Sequence, residues 1–106
     1  MSRELLVLRH AKSAWDTGAA SDFDRPLSKR GRRDAPRVGR FLAREGLAPD
    51  YVVSSPALRA RQTVIAACAG LDIDEADIHW DERSYHAATG TLVAVLAETP
   101  ADAQRV

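Results

Sequence analysis

The sequence predicts an α/β fold, with α/β/α layers around a mostly parallel sheet. Three observations predict it. Leu5-Leu6-Val7-Leu8 is a continuous apolar run, the pattern of a strand buried on both faces. Strand-like and helix-like segments then alternate along the chain, which is how parallel sheets are built. Two of the predicted strands also end in polar residues, Arg9-His10 and Ser54-Ser55. Ligands of parallel sheets bind at such carboxyl ends, so both clusters are expected at one pocket. With 106 residues there is room for one domain, spanning 1–106, and not for two.

The elements follow in order. The apolar run breaks at Arg9-His10 into a polar stretch, residues 11–27, rich in Gly, Ser and Asp, which reads as a long loop. Ser28 is placed to cap a helix running to about Glu45, with Gly46 as its stop. Ala35, Val38 and Leu42 mark the inner face at helical spacing. Pro36 predicts a bend, or two helical pieces with the second starting near Asp34, because an interior proline costs about 3 kcal/mol. Tyr51-Val52-Val53 is a short strand. Ser55 is then expected to cap a helix from about Pro56 to Ala69, with Gly70 after its end. Ile78 to Trp80 is a candidate strand, and Thr89 or Thr91 starts a helix carrying Leu92 to Leu96. Gln104-Arg105-Val106 reads as the opening of a strand. Trp80 and Leu92 to Leu96 are core candidates, Cys68 is expected to be a buried small apolar residue, and Trp15 is a candidate for the pocket rim.

Composition narrows the function. Hydrophobic residues make up 45% and charged residues 28%, which argues against disorder. Fifteen Lys and Arg balance fifteen Asp and Glu, so broad binding to nucleic acid or to an anionic membrane is not expected. Only Lys12 and Lys29 are lysines, and arginine suits bidentate recognition of phosphate or carboxylate. The run Arg30, Arg32, Arg33, Arg37, Arg40 and Arg44 reads as a solvated helix face. A lone Cys68 forms no disulfide within the chain. Three scattered histidines without a cysteine pair suggest no metal site, and no cofactor is implied. The N-terminus does not read as a signal peptide and no stretch approaches the ~18 apolar residues of a membrane helix, so a cytoplasmic protein is expected.

The candidate chemistry begins at His10. A neutral ring nitrogen can attack phosphorus, provided an acceptor, often a backbone carbonyl, holds the other nitrogen as N–H. Neighbouring arginines would bind the phosphoryl oxygens and stabilise charge in flight. Arg9 is adjacent. Arg59 lies one turn into the helix after Ser54-Ser55-Pro56, whose N-terminus is itself a favourable place for an anion. Arg25, before Pro26, is a third candidate. Taken singly, each has a plain alternative: a hydrogen-bonded turn histidine, a capped helix, a solvated loop arginine.

In combination they resemble a known family. Leu5 to Ala11 resembles the opening strand and Arg-His motif of the histidine phosphatase superfamily, with its phosphoglycerate-mutase-like fold. Arg25-Pro26-Leu27-Ser28-Lys29-Arg30-Gly31 is similar to that family's Pro-Leu-Thr-x-x-Gly segment. Ser54-Ser55-Pro56 through Arg59-Ala60-Arg61-Gln62-Thr63 is similar to its Ser-Ser-x-x-x-Arg-Ala-x-Gln-Thr segment. Order and spacing agree over about residues 4–97. The Arg-His-Ala-Lys opening and the Asp-Arg-Pro-Leu segment look most like the SixA-type phosphohistidine phosphatases.

The resemblance implies a metal-independent phosphatase. His10 is then the nucleophile, Arg9 and Arg59 hold the phosphoryl group, Arg25 matches a pocket arginine, and Ser28 and Gly31 match structural positions. Two departures stand out. Ala11 replaces the glycine of Arg-His-Gly. The family pattern also places a second histidine after a later strand, and nothing here matches it, so the sequence reads as lacking the C-terminal part of the fold. His79 and His86 do not take that role. Asp81 and Glu82 lie where a general acid falls in larger members, and Glu82 is the candidate. The expected substrate is a phosphorylated protein or a small phosphorylated metabolite. A phosphohistidine is favoured, because its P–N bond breaks easily once the imidazole is protonated and needs no strong acid. The alternatives are a phosphate-binding module without turnover and an inactive fragment. A mutase fits less well, because the gap between Thr63 and Glu82 is short. The sequence gives no oligomeric state.

Overall fold

The computed structural model describes residues 3–15 and 18–106. Helix α1 spans Lys29–Arg44, strand β1 Val52–Ser54, helix α2 Leu58–Ala69, strand β2 Ile78–Trp80 and helix α3 Thr89–Ala97. Single 3₁₀ turns, Glu75–Asp77 and Glu82–Ser84, flank β2. β1 and β2 pair in parallel, with Val52 opposite Ile78 and Ser54 opposite Trp80. A parallel bridge joins Glu4 to Arg105. The α/β class with parallel pairing therefore holds.

The apolar core lies where α2 meets this sheet. Val64, Cys68 and Ile78 are buried, with Val52, Ile65 and Ile73 packed around them. Cys68 is the expected inert small apolar residue, and burial pushes its thiol pKa up.

Helix α1 forms as its cap predicts. The Ser28 hydroxyl accepts from the Gly31 N–H at 3.1 Å, and Gly46 takes a φ of +67° just beyond the C-cap Glu45. Pro36 breaks nothing: α1 is one continuous helix, which corrects the expected division. The carbonyl left without an amide partner belongs to exposed Arg32, where water can serve it. The inner face also differs from the expected one. Gly31, Ala35 and Gly39 are its buried residues, a stripe of small side chains four apart, while Val38 and Leu42 are only half-buried. The reason is close approach. A Cβ on Gly39 would strike the Ala67 carbonyl of α2, and one on Gly31 would strike the carbonyl of Lys12.

Three further expectations are corrected. The 5–8 run is not buried on both faces: Leu5 is 50%, Val7 85% and Leu8 44% exposed. Its strand-like bonds are confined to the Glu4–Leu6 end, where the Glu4 and Leu6 amides donate to the carbonyls of Gln104 and Val106. Among the described residues, no strand pairs with Val7 to His10, and an open hollow of about 410 Å³ is lined by this run together with Val52, Val64 and Val95. Helix α2 starts at Leu58, with Ala57 as N-cap, and not at Pro56. The Ser55 hydroxyl instead accepts from the Ala57 N–H at 3.2 Å, closing the turn before the helix. Trp80, Leu92 and Val93 are substantially exposed, and only Val95 of the α3 group is buried.

Candidate active site

Two loops and the start of α2 build one open cleft of about 720 Å³. Arg9, His10, Ser13, Trp15, Arg25 and Arg59 line it, as do Tyr85 and His86 from the turn after β2. The two polar strand ends thus face one pocket, as the sequence predicts.

His10 is held by its own loop. Its Nδ1 lies 2.8 Å from the Ala11 carbonyl. A carbonyl only accepts, so Nδ1 is the protonated nitrogen and, in the neutral ring, Nε2 keeps its lone pair. The carbonyl acceptor expected for a nucleophilic histidine is therefore present. The loop is pinned in turn to α2: the Ala11 N–H donates to the Thr63 hydroxyl at 3.0 Å, and that hydroxyl donates to the Arg59 carbonyl at 2.7 Å. Gln62 does the same at the far end of that loop, its Oε1 accepting from the Leu27 N–H at 2.8 Å. Leu27 is 1% exposed and anchors that end.

The arginines differ in their freedom. Arg9 is exposed and, among the described residues, has no ion-pair partner. Arg25 donates to the Ser13 hydroxyl, pairs with Asp22 at 3.1 Å, and stacks on Trp15 with its Cζ 3.8 Å from the ring centroid. Trp15 is therefore a rim residue. Arg59, only 6% exposed, donates through Nη1 to the Asp22 carbonyl at 2.7 Å and through Nη2 to its carboxylate at 3.0 Å. Its Nε is buried without a partner.

Asp22 is the residue that sequence reasoning missed. Besides both arginines, its carboxylate accepts from the Tyr85 hydroxyl at 2.7 Å and lies 3.0 Å from His86 Nε2. The Tyr85 hydroxyl above all, then Arg25, Arg59 and His86, hold the Asp22 carboxyl well below the usual carboxylate range. The same bond raises the Tyr85 pKa. The only signal in the sequence is Asp22 standing three residues before Arg25; nothing marks Tyr85 or His86 as its partners.

Glu82, the candidate acid, is exposed and is not among the residues lining the cleft. It begins the turn that brings Tyr85 and His86 there. Asp81 caps that turn and pairs with Arg83 at 2.7 Å. His79 stacks on Tyr51, away from the cleft, with centroids 4.3 Å apart.

The sequence profile of the histidine phosphatase superfamily, branch 1, matches residues 5–105. The chain belongs to this superfamily.

Among the relatives of this histidine phosphatase family member is an uncharacterized protein of Mycobacterium tuberculosis, 46% identical over 86 residues. That match covers 81% of this chain and 51% of the relative. A 2,3-bisphosphoglycerate-dependent phosphoglycerate mutase of Thermobifida fusca is 36% identical over 97 residues, covering 81% of this chain and 37% of the mutase. Among solved structures, a SixA candidate phosphohistidine phosphatase of Agrobacterium tumefaciens superposes with a TM-score of 0.87 at 32% identity. That superposition covers 100% of this chain and 67% of the other. The chain spans about half the length of the curated relatives it matches. The phosphoglycerate-mutase-like fold expected from the motifs is thus the observed one. No helix among the described residues is long and apolar enough to cross a membrane, and those residues hold no group of three potential metal ligands.

Proposed function

We propose that the protein is a phosphatase that works through a phosphohistidine on His10. The observation that carries this reading is the His10 Nδ1 contact to the Ala11 carbonyl, which leaves Nε2 as the free lone pair inside a cleft lined by Arg9, Arg25 and Arg59. In the first step the Nε2 lone pair forms a bond to phosphorus. The bond from phosphorus to the leaving nitrogen or oxygen breaks and its electron pair leaves with that atom: a ring already protonated at its other nitrogen departs as neutral imidazole, whereas an ester oxygen takes a proton from Glu82. In the second step a water oxygen attacks phosphorus, the P–N bond breaks, and its pair returns to Nε2. The water gives up a proton and inorganic phosphate leaves. Arg9 and Arg59, with Arg25, hold the phosphoryl oxygens as charge shifts between them.

The proposed substrate is a phosphohistidine of a protein, or a small phosphoramidate or phosphate monoester. The placement of Glu82 supports the first. A protonated imidazole is a good leaving group, so the reaction does not need a carboxylic acid in the cleft. Glu82 is proposed as proton donor for ester substrates only. Phosphohistidine hydrolysis by wild-type protein and by His10→Ala tests the proposal. Turnover is expected to vanish in the variant while the melting transition persists. Near wild-type rates in His10→Ala would refute it.

A second reading has its own support. The cleft gathers Arg9, Arg25 and Arg59 but is not lined by Glu82, the candidate acid. The cleft would then bind phosphate through its arginines without turning it over. Phosphate-dependent thermal stabilisation with no product release from any of these substrates is the result that would favour it.

A further inference from the structure

We propose that the seat occupied by the Asp22 carboxylate, between Arg25, Arg59, Tyr85 and His86, is an oxyanion-binding position of the cleft, taken by a phosphorylated ligand as Asp22 leaves. The inference rests on the reading of the cleft as a phosphate site and adds Tyr85 and His86 to its donors.

Four side chains from three parts of the chain converge on this one carboxylate. Arg25 Nη2 lies 3.1 Å away, Arg59 Nη2 3.0 Å, the Tyr85 hydroxyl 2.7 Å and His86 Nε2 3.0 Å. A carboxylate and the edge of a phosphoryl group present arginine with the same pair of acceptors, so a seat that fits one fits the other.

Two observations indicate that Asp22 is a replaceable occupant. The first is the Nε of Arg59, which is buried and has no partner. A buried donor without an acceptor is unfavourable, so Asp22 does not satisfy the guanidinium it engages. A phosphoryl group carries three terminal oxygens where the carboxylate has two, one acceptor more. The second is that the Asp22 side chain is 41% exposed and sits on the 11–27 loop, so a small rotation returns it to water. His86 adds to the case. Its backbone adopts a φ of +49°, unfavourable for a residue with a side chain, and its ring is directed onto this seat.

The alternatives differ in charge arithmetic, which two tetrahedral probes of similar size can read. Tungstate carries two negative charges and perrhenate one. Their affinities are measured by calorimetry on wild-type protein and on Asp22→Asn, at pH 7 and fixed ionic strength. If Asp22 must leave, both ions face the same displacement cost, so the substitution tightens both by the same factor. That factor is about tenfold, the worth of one charge-assisted hydrogen bond. If Asp22 stays and merely repels, the gain for tungstate is the square of the gain for perrhenate, and the proposal falls. Weaker binding of both ions would make Asp22 a positioning residue for Arg59, and unchanged affinities would put the ligand elsewhere; either overturns it. Should Asp22→Asn not fold, a structure of the wild-type protein with tungstate decides. Asp22 out of contact with Arg59 supports exchange, and Asp22 still within hydrogen-bond distance of it refutes exchange. The readout is binding, so it is separable from catalysis. Hydrolysis that depends on His10 alongside failed exchange sinks this inference alone. Exchange without hydrolysis leaves the inference standing and sinks the catalytic reading.

Discussion

The hydroxyl of Thr63 accepts the N–H of Ala11 at 3.0 Å, tying the residue after the candidate nucleophile to the helix that carries Arg59. Thr63 is 2% exposed and also donates to the Arg59 carbonyl at 2.7 Å. One hydroxyl thus sets the spacing between the group that would attack phosphorus and a group that would hold it. Replacing Thr63 by Val keeps the shape and removes both bonds. It leaves the Ala11 amide without an acceptor, at a cost of about 1–3 kcal/mol in a denaturant titration. The same variant is expected to lose kcat more than the cleft loses phosphate affinity, because His10 shifts while the guanidinium stays.

Gly39 and Ala67 set the crossing of α1 and α2. A methyl group on Gly39 has no room beside the Ala67 carbonyl, and backbone cannot yield as a side-chain tip can. Gly39→Ala is expected to destabilise the fold by about 1–3 kcal/mol through overpacking, despite the higher helix propensity of alanine. Gly90→Ala is the control, since nothing lies within 4 Å of the position a Cβ would take there. A melting temperature unchanged in Gly39→Ala would show that the helices do not approach in solution as they do here.

The pH dependence of stability follows from Asp22. Its carboxyl pKa is depressed in the folded state, chiefly by the Tyr85 hydroxyl and then by the arginines and His86. A depressed carboxyl contributes stability that is complete above its unfolded value, about 3.9, and is lost as pH falls through the folded value. The difference in melting temperature between wild type and Asp22→Asn is therefore expected to be constant near neutrality and to shrink below about pH 4. In Asp22→Asn, spectroscopic titration is expected to return Tyr85 from its raised pKa toward the ordinary value near 10. A Tyr85 titration that ignores the substitution would mean the two residues do not meet.

Glu82 separates substrate classes. Because a protonated imidazole leaves without help from an acid, Glu82→Gln is expected to leave phosphohistidine hydrolysis within about twofold of wild type, far less than the 10²–10⁴-fold contribution of a working general acid. Ester hydrolysis is expected to fall by more. Equal loss on both substrates would bring Glu82 into the reaction for both.

Much of the site was legible in the sequence because its signals are local. The Ser28 cap, the Gly46 stop and the order of strands and helices depend on backbone preferences and hydrogen bonds within about a turn of chain. Arg9 and His10 are neighbours at one strand end, and Arg59 sits one turn beyond another, so their shared pocket followed from α/β topology. The roles of Gln62 and Thr63 were not legible. A buried threonine inside a helix looks like any other until the loop it holds is in place.

What the sequence determined by itself was the fold class, the two ends of α1 and the meeting of Arg9-His10 with the start of α2 at one cleft. Tertiary structure alone decided that Pro36 sits in an unbroken helix, that glycines carry the α1–α2 contact, and that the 5–8 run lies exposed. It also decided that Asp22 meets Arg59, Tyr85 and His86. Tyr85 and His86 stand 63 and 64 positions away along the chain. Periodicity and capping reach only a few residues, whereas a carboxylate with four donors exists only after two loops and a helix have closed upon one another.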